Sequence, residues 1–105
     1  MHRPAALATV VAVAALAFTS TAQAANLTFL NRSFRSIPLE IPGVMNANLL
    51  PFSDSGVTLE RGQRIYYRHD GRRTLLLTIA DEKDGDRLAI DELIARRDAQ
   101  LDAQR

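Results

Sequence analysis

The sequence predicts a β-rich α+β fold, a small antiparallel sandwich or partly open barrel of about five or six short strands with one C-terminal helix. Two observations carry that expectation. Apolar and polar residues alternate with period two in several short runs, punctuated by Gly, Pro, Asn and Asp. Near the C-terminus the spacing changes to the three- and four-residue intervals of an amphipathic helix.

A first strand is expected over 26–31, with Leu27, Phe29 and Asn31 on one face. After a polar turn at 32–35, residues 37–41 alternate again and bring Ile37, Leu39 and Ile41 together. Pro38 has no N–H for a ladder, which assigns this strand to an edge. Residues 42–56 mix turn formers with Val44, Met45, Leu49, Leu50 and Phe52 and read as a long apolar loop folded over the end of the core.

A short strand at 57–60 and a tight turn at 61–63 lead into a hairpin over 64–80. Two registers compete there. A two-residue Asp70-Gly71 turn pairs Arg68 with Arg73, whereas a three-residue loop with Gly71 in a bulge pairs Arg68 with Arg72. The second places Ile65, Tyr67, Leu75, Leu77 and Ile79 on one face and Arg64, Tyr66, Arg68, Arg72, Thr74 and Thr78 on the other. Because one residue of slip inverts every side chain, the bulged loop is the expected register.

A charged turn at 81–86 precedes a short strand at 88–90, an N-cap at Asp91 and a helix over 92–103. Ile90, Leu93, Ile94, Arg97 and Leu101 share one helical face. The expected core is Leu27, Phe29, Ile37, Leu39, Ile41, Val57, Leu59, Ile65, Tyr67, Leu75, Leu77, Ile79, Ile90, Leu93 and Ile94.

Residues 1–24 have the three parts of a cleavable secretory signal peptide. Arg3 and the amino terminus supply positive charge, 5–18 are uncharged and apolar, and Ala22-Gln23-Ala24 matches the small-residue cleavage pattern. A membrane anchor needs about 20 apolar residues, more than this run offers. The expected product is one exported domain, 25–105, in the periplasm or outside the cell. Removing Arg3 from the 13 basic residues leaves 12 against 12 acidic, which ends any net-charge case for nucleic-acid binding. With no Cys, the domain lacks the disulfides on which small exported domains often rely.

No catalytic motif is evident. His69 is the one His of the exported part, and His69-Asp70 reads as an exposed hairpin tip, a poor site for nucleophilic chemistry. One His and no Cys do not make a zinc or copper site, and no cofactor is expected. The acidic turn after Asp81 departs from a calcium loop at Lys83, Gly85 and Asp86.

Two surfaces suggest binding. Arg64, Tyr66, Arg68 and Arg72 form a basic strand face able to hold carboxylates or phosphates by bidentate bonds and stacking. Met45, Leu49, Leu50 and Phe52 on the long loop form a possible hydrophobic partner site. The expectation is a non-enzymatic exported binding or protein-interaction module for an envelope protein or an anionic envelope ligand. The alternatives are a small secreted enzyme or inhibitor acting through 42–56, and a structural subunit of an envelope complex.

Overall fold

The computed structural model describes residues 24–105, so the expected signal segment lies, but for Ala24, outside the described residues. Seven strands and one helix follow in order: β1 (Ala24–Asn31), β2 (Ile37–Ile41), β3 (Met45–Leu49), β4 (Ser53–Glu60), β5 (Arg64–His69), β6 (Arg72–Thr78), β7 (Arg87–Ala89) and α1 (Ile90–Ala103). They form a three-stranded sheet, β4-β1-β7, and a four-stranded sheet, β3-β2-β5-β6, without closing into a barrel.

β1 is the centre of the smaller sheet. It pairs antiparallel with β4 from Ala24 opposite Glu60 to Asn31 opposite Ser53. On its other side β7 runs parallel to it, with Phe29 opposite Leu88. Ala25, Leu27 and Phe29 alternate inward from β1 and meet Leu39, Ile41, Leu49, Ile65 and Tyr67 of the larger sheet in one core. Leu59, Ile79 and Ile90 complete it. Each such fully buried aliphatic or aromatic side chain contributes roughly 1.5–3 kcal/mol.

The β-rich fold with a C-terminal helix is as the sequence predicts, but it has seven strands among the described residues and not five or six, the smaller sheet is mixed and not purely antiparallel, and four further details differ. First, 42–56 is not an irregular plug. Met45, Ala47 and Leu49 alternate with Asn46 and Asn48, and the run pairs with β2 as a strand, Ile37 opposite Leu49 and Ile41 opposite Met45. The Asn residues, poor strand formers, hide that period. The following strand also begins earlier, at Ser53.

Second, β2 is interior to its sheet, although Pro38 assigned it to an edge. The conflict is resolved locally, because the β2–β5 ladder is reduced to one bridge, Glu40 opposite Tyr66. Continued pairing would bring Pro38 opposite Arg68, where Pro38 has no N–H to offer.

Third, the β5–β6 hairpin takes the other register. Asp70 and Gly71 form a two-residue turn with φ of 52° and 78°, the type I′ geometry whose twist matches the strands. Arg68 faces Arg73 and His69 faces Arg72. The bulge lies inside the ladder, where Tyr66 pairs with Leu75 and Ile65 with Leu77, leaving Leu76 extra. That added residue restores the phase, so Leu76 and Leu77 both pack on the core, and Leu75 does not. The expected one-residue correction exists but occurs five residues beyond the turn.

Fourth, the helix starts at Ile90 with Ala89 at the N-cap and no side-chain cap. The Asp91 carboxylate instead accepts the backbone N–H of Arg32 at 3.2 Å, tying the helix start to the loop after β1.

Candidate functional site

Asn31, at the end of β1, organises one end of the molecule. It is fully buried, and its side-chain amide donates to the carbonyls of Arg35 (2.7 Å), Leu50 (3.1 Å) and Leu49 (3.2 Å). Its Oδ1 accepts the Ser33 backbone N–H and hydroxyl, at 3.0 and 2.7 Å. One polar side chain thus pins the β1–β2 loop to the β3–β4 connection. A direct bond from the Phe52 N–H to the Ser33 carbonyl, 3.2 Å, adds to it.

Beside this junction is a cleft of about 360 Å³ between the β1–β2 loop, the start of β2, the end of β5 and one face of α1. Ile37, Pro38, Ile94, Ala95 and the ring of Tyr67 give it apolar walls, and Ser33, Ser36 and Asp91 also line it. The exposed Arg35 and Arg68 stand at its mouth. The opening follows from the sequence. The β2–β5 ladder stops at Glu40 opposite Tyr66, and the cleft lies on the Pro38 side of that bridge, bordered by the helix.

At its inner end, the Tyr67 hydroxyl donates to Asp98 Oδ1 at 2.6 Å. His69 Nδ1 shares the same oxygen at 2.8 Å. Burial, followed by the bond to Asp98 and that carboxylate's charge, pushes the Tyr67 phenol well above its usual pKa. His69 is not an exposed tip residue as the sequence suggests: its side chain is 16% exposed and packs against the helix. Its Nε2 is buried without a hydrogen-bond partner, with Asp70 and Asp102 oxygens at 3.5 and 3.8 Å. The helix residue Asp98, unremarkable in the sequence, is the hub of this cluster.

The basic face is altered by the register. Arg73, not Arg72, joins Arg68 and Tyr66: its guanidinium lies 4.0 Å from the Tyr66 ring centre. Arg68 and Arg73 both approach the Glu40 carboxylate, at 3.5 and 3.9 Å, so the face carries its own counter-charge. Arg72 is on the other side, beside His69, Thr74, Leu101 and Arg105. Arg64 is at the far end, with Pro42, Gln63, Tyr66 and Arg73. Of the four expected residues, only Arg68 borders the cleft.

The expected apolar site also divides. Leu49 is a core residue, 1% exposed, and Met45 lies at the opposite end of the β2–β3 hairpin from Leu50 and Phe52. Leu50 and Phe52 remain exposed, joined by Phe34 of the β1–β2 loop, which pattern reasoning missed because an isolated Phe in a polar turn has no periodicity.

Among the described residues no group of three or more His, Cys, Asp or Glu is arranged to hold a metal ion, and no helix is long and apolar enough to cross a membrane. No protein-family model matches the chain, and no curated protein or solved structure matches it at a significant level.

Proposed function

We propose that the protein is an exported, non-enzymatic binding module whose site is the cleft between β2, β5 and α1, and that its ligand is amphipathic with an anionic end. The observation that carries this reading is the cleft itself, apolar within and bordered by Arg35 and Arg68. Its volume falls in the range of small-molecule sites, which combine apolar walls with a few placed polar groups. A carboxylate or phosphate at the mouth meets the guanidinium of Arg35, which no carboxylate engages among the described residues, while an aliphatic chain covers Ile37, Ile94 and Ala95. This replaces the broad Arg/Tyr strand face, whose Glu40 already engages two of its guanidiniums. Export rests on the amino-terminal pattern of charge, apolar run and small residues.

Decanoate is a suitable probe. Added to the isotopically labelled protein, it is expected to shift the amide resonances of Ile37, Tyr67 and Ala95, with decanol binding more weakly. Ala95→Trp, at an exposed helix position, fills the cleft without disturbing the core and abolishes the shifts. Arg35→Gln weakens decanoate binding and leaves decanol unaffected. Shifts scattered over the surface, or none at all, reject the cleft as the site.

A further inference from the structure

We infer that the loop end carrying Phe34, Leu50 and Phe52 is a docking surface for an anionic lipid bilayer. The three side chains are 74%, 59% and 72% exposed, so they project from the surface and leave the core to others. They come from two separate connections, and the Asn31 bonds and the Phe52–Ser33 bond hold those connections together. Phe52 is also held at φ 52°, a conformation that L residues with bulky side chains avoid. The strained backbone presents a largely exposed aromatic ring to solvent. Strain at an exposed apolar residue points to a role outside the folded domain.

Charge selects the occupant. Arg32 and Arg35 flank the tip, both exposed, and among the described residues no carboxylate lies within ion-pair distance of either. The Arg35 guanidinium lies 5.6 Å from the Phe34 ring centre, placing cation and aromatic at one level. Asp54, two residues beyond Phe52, is engaged by Arg87 at 3.5 Å. The three exposed apolar side chains stand beside two guanidiniums that no carboxylate engages among the described residues, a pairing of apolar and cationic groups at one surface. A bilayer interface accepts this pairing: apolar side chains enter the acyl boundary while guanidiniums stay among anionic headgroups.

The chain has no Cys, so single nitroxide labels can be placed by Leu50→Cys at the tip and Val44→Cys at the opposite end of the β2–β3 hairpin. The full chain is mixed with vesicles of phosphatidylglycerol and phosphatidylcholine, or of phosphatidylcholine alone, and each label's access to oxygen and to a polar nickel complex is measured. Docking predicts that the Leu50→Cys label enters the apolar phase in the anionic vesicles while the Val44→Cys label stays in water. The amino-terminal apolar segment is common to both proteins, so the contrast between labels reads the tip. Phe34→Ser with Phe52→Ser weakens vesicle binding by about tenfold or more. Arg32→Gln and Arg35→Gln each weaken it by about fivefold. Ala95→Trp, which blocks the cleft, leaves docking unchanged and separates the two readings. Equal immersion of both labels, or a Leu50→Cys label that remains in water, overturns the inference. So does protection of that label at high protein concentration without vesicles, which assigns the tip to a second copy of the chain.

Discussion

The hydroxyl of Tyr67 on β5 donates to Asp98 of α1 at 2.6 Å, the shortest side-chain link between the larger sheet and the helix. Removing the hydroxyl leaves the carboxylate with His69 alone and costs a hydrogen bond to a charged group. Tyr67→Phe is expected to lower stability by about 1.5–3 kcal/mol, read from urea denaturation at neutral pH.

The same bond makes stability pH-dependent on the alkaline side. The folded phenol is held above its usual pKa by burial and by Asp98, so the unfolded chain releases this proton first. Its contribution is complete below about pH 10, the unfolded value, and declines as pH rises beyond it, by up to about 1.4 kcal/mol per pH unit. In a Tyr66→Phe background, where Tyr67 is the one remaining Tyr, phenolate absorbance is expected to rise only together with unfolding. A reversible titration of the folded protein near pH 10 would contradict the assignment.

Asn31 is a buried polar residue with all its polar atoms engaged. Asn31→Leu keeps the volume and strands several carbonyls. A loss of about 2–3 kcal/mol is expected. Limited proteolysis should then cut near 50–53, because the two connections are no longer pinned. A variant with wild-type resistance there shows that other contacts hold the loops.

Gly71 occupies the second turn position with φ 78°, and a Cβ built there meets nothing within 4 Å. Gly71→Ala therefore reports backbone conformation alone, at a cost of about 1 kcal/mol. Under the alternative register Arg68 would cross to Arg72, so cross-strand nuclear Overhauser contacts between Arg68 and Arg73 check the turn directly.

Phe52→Gly removes the left-handed strain without opening the core. Stability is expected to rise by about 0.5–1 kcal/mol in thermal or urea unfolding, an unusual sign for deleting a large apolar side chain. A fall in stability means that the ring packs on the domain after all.

Much of the fold was legible because it is local. The alternation of Leu27 and Phe29, of Ile37, Leu39 and Ile41, and of Ile65 and Tyr67 marks strands whose inward faces do form the core. The hairpin register was not legible from Asp70-Gly71 alone, since a turn and a distant bulge at Leu76 give the core nearly the same side chains. That choice moved Arg72 off the basic face and brought Arg73 onto it. The cleft was hidden for another reason. Pro38 was noticed as a ladder breaker, yet the cleft beside it exists only because β5 and α1 come alongside. Asp98 likewise gains meaning only by folding, through partners about thirty residues away.

The position of β1 bears on how the chain folds. This strand takes one of its two neighbours, β7, from Arg87–Ala89, where Arg87 pairs with Thr28, 59 positions earlier in the sequence. The smaller sheet is complete only once β7 has joined it, and its contacts span long sequence separations of the kind that slow folding.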